Sequence, residues 1–258
     1  MFFAEFTRGV LAIFRKLCYN KHVMEFVFSL LAQFLAVMVV VTFHEFAHAF
    51  VAYKCGDPTA KFAGRMTLNP LKHFDPLGIV AFAVAGFGWA KPVPVNPMTF
   101  DTYRKGSFWT SAAGIIINYL MAFIFCPLWA LIVLYVCPLV AGTYMELFLR
   151  VLFSCLFLYS LSFCVFNLLP FYPLDGFRIV DALNKKHGKV YWFLRRYGYY
   201  ILLGLILINV FASRVPVLQY VNVLGYLLDF AQYILGWPIT KFWSWIFELF
   251  GESVRFII

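Results

Sequence analysis

Eighteen consecutive residues, from Phe26 to Phe43, carry no ionisable side chain. As a helix rising about 1.5 Å per residue, this run is about 27 Å long, close to the hydrocarbon thickness of a bilayer. Further uncharged runs cover 106–145 and 151–174. Of the 258 residues, 63% are hydrophobic and 13% charged, and the mean hydropathy is +0.82. Most of the chain therefore has a lipid environment, and the expected class is an all-α polytopic membrane protein.

The first run ends in His44-Glu45-Phe46-Ala47-His48. On a helix, positions i and i+4 share a face, so His44 and His48 can present two imidazole nitrogens to one metal ion. Glu45 lies about 100° round the helix from His44, where it reaches a water at the metal without ligating. Chargeable groups at the end of an apolar segment cost free energy unless they face a wet cavity, a partner or a metal. An interfacial cluster where the helix leaves the bilayer is the plainer alternative. Against it, two of only five histidines stand at ligand spacing around a carboxylate. This is the zinc-hydrolase arrangement placed in a membrane.

Before that motif, residues 1–22 mix Phe, Leu and Ile with Arg8, Arg15, Lys16 and Lys21, which suggests an amphipathic surface helix rather than a cleaved signal peptide. The first spanning helix is expected from about 23 to 54, stopped by Gly56 and Pro58. Residues 59–73 have short β-type spacing and are too polar to cross. The run Leu77–Ala85 is too short to span and reads as a re-entrant segment. In 86–97, three prolines forbid a helix. Alternating valines there suggest an extended edge open to strand addition, or else an ordinary proline-rich loop.

The second spanning helix is expected at 107–136. Its Ser111-Ala-Ala-Gly114 lets a neighbour approach closely, and Asn118 at that contact is an interhelical hydrogen bonder or a catalytic group. After the run Val151–Leu174, Pro170 and Pro173 leave Asp175 on irregular backbone at the mouth of a membrane segment. A catalytic zinc wants three protein ligands. Asp175 is the candidate third, or else the N-cap of a helix over Gly176–Asn184. Two more helices are expected at Tyr197–Ser213 and Val215–Leu228, and an interfacial one within 230–258, giving five to six spans in all. The expected organisation is an amphipathic segment at 1–22, a membrane core at 23–189 and carboxy-terminal helices at 190–258.

The six cysteines form no Cys-x-x-Cys pair and read as packing residues. A net charge of +9 fits cytoplasmic loops of a membrane protein, with no nucleic-acid partner expected. Arg178, Lys185, Lys186, Lys189, Arg195 and Arg196 follow the third run, which puts the Asp175 end on the cytoplasmic side, and the histidine motif with it. The basic amino-terminal segment is then left facing outward, against the charge rule.

Three stretches in order, His44–His48, Gly86–Pro97 and Asn167-x-x-Pro170 with Asp175-Gly176, resemble the site-2 protease family of intramembrane zinc metalloproteases. The resemblance covers about residues 30–185. It implies zinc, one per chain, on His44, His48 and Asp175, with Glu45 as acid/base and Asn167 stabilising the oxyanion. It also implies a β-like platform for substrate at Gly86 and Gly88, and the expected substrate-binding set adds Trp89, Lys91, Pro92, Val93 and Asn118. The expected partners are a membrane-protein substrate and the bilayer, in the plasma membrane; oligomeric state is not legible. The chain departs from the family pattern at Ile115, Tyr172 and Phe177, and no PDZ or CBS domain is expected, as in the minimal branch. The competing classes are a catalytically inactive metal-binding chaperone, which the intact Glu45 disfavours, and a metal-binding transporter, which would more often show repeated halves.

Overall fold

The computed structural model describes residues 20–85, 88–184, 186–212, 215, 220–252 and 254, with backbone alone at 82–85. The amphipathic helix expected at 1–22 lies almost wholly outside these residues. Helix α1, Lys21–Lys54, contains the β-branched run Val39-Val40-Val41-Thr42, which in water would favour a strand. In lipid, a spanning segment has to satisfy its own amides, and helix wins. The Asn20 side chain caps its start by accepting from the His22 amide at 3.1 Å. Gly56, at φ +101°, turns the chain away after its end.

Helix α2 is a single turn, Thr59–Phe62, and α3 covers Pro76–Ala85. The β-type spacing expected at 59–73 is not realised. Asp57 accepts from the Thr59 amide to start α2, and Asn69 accepts from Leu71 to start a tight turn at Pro70–Lys72. These side chains compete successfully with any ladder. Among the described residues no strand forms, and the β-like segment is reduced to one antiparallel bridge, Phe74 with Ala90.

Helix α4, Tyr103–Leu131, runs straight through Pro127 and on by a wide turn and a tight turn to Val140. Pro127 has no N–H for the carbonyl four residues back. That carbonyl, on Phe123, instead accepts from the Trp243 indole at 2.9 Å. The freed group thus becomes a docking point for another helix. Helix α5, Tyr144–Leu168, is capped by Thr143, and Glu146 accepts from the Gly142 amide. Then follow α6, Asp175–Leu183; α7, Lys189–Ala212; and α8, Val223–Leu249.

Among the described residues, four helices are long and apolar enough to cross a membrane: α1, α4 with its extension, α5 and α7. The two elements expected at Val215–Leu228 and in 230–258 are instead largely one helix, α8. It starts late because Asn222 caps it by accepting from Gly225, and it tolerates Pro238 internally. Helices α1, α4 and α5 pack mutually. Ala36 and Val40 meet Met121 and Leu156 in one buried cluster, and Ala122 and Cys126 meet Phe157, Leu161 and Ile239 in another. Alanines at the contacts let the backbones approach, the usual solution where lipid removes the hydrophobic drive between helices. No disulfide forms among the described cysteines.

Candidate metal centre

His44 and His48 lie one helical turn apart near the carboxy-terminal end of α1, and the fold folds α6 back against them. Their Nε2 atoms are 2.9 Å apart. Asp175 Oδ2 is 3.4 Å from His44 Nε2 and 3.0 Å from His48 Nε2. All three residues are buried. Asp175 is the first residue of α6, but its carboxylate turns to the histidines instead of capping the helix. Gly176 makes this possible: a Cβ there would stand 2.3 Å from the Leu168 carbonyl oxygen, so only glycine lets α6 start directly against the end of α5.

These atoms fit a metal ion on three grounds. A tetrahedral zinc with bonds of about 2.0–2.1 Å separates its ligands by about 3.3 Å, close to the spacings found. Asp175 Oδ2 is buried without a hydrogen-bond partner, an expensive state for a carboxylate that a cation would relieve. His48 Nδ1 lies 2.7 Å from the Thr110 carbonyl, which can only accept. The proton of a neutral His48 is therefore on Nδ1, and its Nε2 presents a bare lone pair to the cluster.

The face of α4 opposite the histidines reads Thr110, Gly114, Asn118. A Cβ on Gly114 would come within 2.5 Å of both His44 Cε1 and His48 Nε2. Asn118, completely buried, places its amide 3.0 Å from His44 Nδ1. Glu45 points elsewhere on α1 and accepts from the Val93 amide at 2.8 Å through Oε2. Asn167 is half-buried, and its side-chain nitrogen donates back to Phe163 at 3.0 Å in its own helix.

Of the expected substrate segment, Gly86 lies outside the described residues. Trp89, Lys91 and Pro92 are exposed, Gly88 is partly so, and Val93 is buried. The described part of the segment, 88–96, forms no helix, and its backbone is less free than an open edge would be. The Lys91 amide donates to His73 O at 2.9 Å, and the Lys91 and Pro92 carbonyls both accept from Arg65 Nη2. The Asn96 amide donates to Asp57 at 2.7 Å. Asp57, Arg65 and His73 are all buried and were not singled out by the sequence reading. Their only signal was three chargeable residues in a short segment between apolar runs. Burial pushes the Asp57 carboxyl up, but bonds from Thr59 and Asn96 outweigh it and leave it below its ordinary value.

A pocket of about 270 Å³ opens beside the cluster, lined by Val93, Thr110, Ser111 and Phe177 within and by Arg178 and Arg195 toward its rim.

Comparison with known proteins identifies a family. Residues 32–209 match peptidase family M50. YwhC of Bacillus subtilis (strain 168), a candidate zinc metalloprotease by name, is 45% identical over 157 residues, 59% of this chain and 70% of its own. Rip2 of Mycolicibacterium smegmatis (strain ATCC 700084 / mc(2)155), named likewise, is 27% identical over 220 residues, 78% of this chain and 76% of its own. No solved structure matches. An apolar helical bundle and a family match over most of its length make this chain an integral membrane protein of peptidase family M50, the site-2 protease family of zinc metalloproteases.

Proposed function

We propose that the chain is an intramembrane zinc metalloprotease that hydrolyses peptide bonds in or near the transmembrane segments of membrane-protein substrates. The observation that carries this reading is the convergence of His44 Nε2, His48 Nε2 and Asp175 Oδ2 inside a lipid-embedded bundle, with Glu45 on the same helix. His44, His48 and Asp175 hold a single zinc per chain. Zinc bound there supplies Lewis acidity, polarising a carbonyl and making water acidic enough to lose a proton near neutral pH.

Glu45 is the general base and then the acid. One of its oxygens is fixed by the Val93 amide, which leaves the other to take a proton from water and return it to the departing amine. Asn167 serves the oxyanion once its amide leaves the Phe163 carbonyl. The segment 86–97 receives an unwound peptide, with Gly86, Gly88, Trp89, Lys91, Pro92 and Val93 along it. Since Lys91 and Val93 already spend their amides within the chain, substrate pairing uses the remaining backbone groups or displaces these bonds. Asn118 was expected to face substrate; its place on His44 assigns it to the ligand side of the site instead. Basic residues at the start of α4 and around α6 and α7 favour the cytoplasmic face of the plasma membrane for the site end. α8 adds a further partly inserted helix to the four spans.

Detergent-purified protein incubated with a panel of single-span membrane peptides tests this, with metal content measured on the same sample. The expected result is cleavage with about one zinc per chain, and a fall of at least about 100-fold in Glu45→Gln with zinc retained. Robust cleavage by Glu45→Gln removes Glu45 from the chemistry, and a folded protein that never takes up metal overturns the reading.

A further inference from the structure

The two candidate ligand histidines are oriented from one face of α4, by different means. His48 Nδ1 bonds a backbone carbonyl, that of Thr110, at 2.7 Å. His44 Nδ1 bonds a side chain, that of Asn118, at 3.0 Å. Thr110, Gly114 and Asn118 follow at four-residue intervals on one helix face, and Gly114 leaves the space in which both imidazoles sit.

The orientation of the Asn118 amide decides what His44 can do. With Nδ2 toward His44, Nδ1 must be the acceptor and the proton of a neutral His44 sits on Nε2. That proton would then face the bare Nε2 of His48 at 2.9 Å, and His44 could not ligate. The same arrangement leaves Asn118 Oδ1 buried and without a partner. Amide oxygen and nitrogen are almost indistinguishable in shape, and a half-turn exchanges them. After that turn Oδ1 accepts from Nδ1–H, and the unpaired position passes from an acceptor to a donor without a second being added. The Nε2 lone pair of His44 then matches that of His48, as a pair of ligands requires.

We propose that Asn118 is a positioning residue whose side-chain oxygen accepts the Nδ1 proton of His44 and so holds the Nε2 lone pair on the metal site. This rests on the zinc reading above. The full chain, stripped of metal and reloaded, is titrated with zinc against a competing chelator, with the melting temperature of the metal-free form alongside. Asn118→Leu keeps the volume and removes the acceptor, and its zinc Kd is expected to rise about 10–100-fold. Asn118→Asp restores an acceptor oxygen and is expected to bind zinc at least as tightly as the wild type, the melting of each metal-free variant showing that it is folded. A wild-type Kd in Asn118→Leu, or equal weakening in both variants, overturns the proposal. Should Asn118→Leu not fold, nitrogen-15 histidine spectra of the metal-free wild type decide. A His44 proton on Nδ1 supports the proposal, and one on Nε2 overturns it. Wild-type protein that takes no zinc brings down the proposed function as well, whereas zinc bound equally by wild type and Asn118→Leu removes only the role of Asn118.

Discussion

Two walls meet at the site, and they are held in opposite ways. The helical wall, α1 against α4, relies on regular spacing and small residues: histidines at i and i+4 on α1 face Thr110, Gly114 and Asn118 on α4. The loop wall, within 55–101, holds only short helices and turns among its described residues. It is fixed by buried polar side chains acting on backbone, Asp57 on Asn96 and Arg65 on Lys91 and Pro92, and by the backbone bond from the Lys91 amide to the His73 carbonyl. Val93, on the loop wall, then binds Glu45 on the helical wall. Steric fit sets the first wall, so it should fail abruptly when space is lost. Several charge-assisted bonds share the second, so it should loosen in steps.

Gly114→Val is expected to have the largest effect. Its side chain would occupy the place of the imidazoles, and zinc affinity should fall by more than about 100-fold, read by chelator competition, with the bundle still helical by circular dichroism. Next, Asp57→Ala removes the acceptor shared by Thr59 and Asn96. About 2 kcal/mol or more of local stability should be lost, seen as faster amide exchange or proteolysis across 88–97 while α1 and α4 stay protected. If exchange rises equally in both walls, the contrast drawn here is wrong. Arg65→Lys keeps charge but not the planar fork, so a smaller increase in exchange confined to Lys91–Val93 is expected.

Acid offers the mildest perturbation. The folded carboxyl of Asp57 is held below its unfolded value of about 4, so its contribution is fully present above that pH and is lost as pH falls through the lowered value. Metal-free protein should therefore loosen across 88–97 on acidification below about pH 4, and Asp57→Asn should flatten that dependence. An identical acid response in Asp57→Asn would assign the loosening to other groups.

The two walls also differ in how far the sequence announced them. The pairing of His44 with His48 was legible because helical spacing alone puts them on one face. The approach of Asp175 was half legible: a proline-broken turn at a membrane exit suggested a ligand or a cap, and only the packing of Gly176 against α5 shows which way its carboxylate turns. The bond from His48 to Thr110 leaves no trace in residue type, since any residue has a carbonyl. Gly114 and Asn118 were visible as a small and a polar position at a helix contact, but not what they faced. In the loop wall, residues 59–73 suggested β spacing, whereas Asp57 and Asn69 imposed turns through their side chains. Alternation of valines suggested an extended edge at 93–95, yet it could not say that Lys91, Val93 and Asn96 would already be bonded at home. The helix expected at 107–136 already ran through Pro127, but the sequence does not show that Trp243 takes up the stranded carbonyl.

The length of α1 works as a depth gauge. Thirty-four residues make a rod of about 51 Å, well beyond the roughly 30 Å of hydrocarbon, so part of it must project or the whole must tilt. Its uncharged stretch of about 27 Å nearly fills the hydrocarbon, and His44 comes one residue after that stretch ends. With that stretch centred in the bilayer, the candidate metal-ligand cluster would sit at the rim of the oily layer instead of its midplane. Water then needs to travel only a short way, through the polar end of the bundle. On the proposed activity, the bond that is cut is chosen by how far along its own span a substrate reaches this rim. Moving a substrate's flanking charges by one helical turn would shift its cleavage position by a similar distance, and a thinner bilayer would bring residues nearer the middle of its span into range.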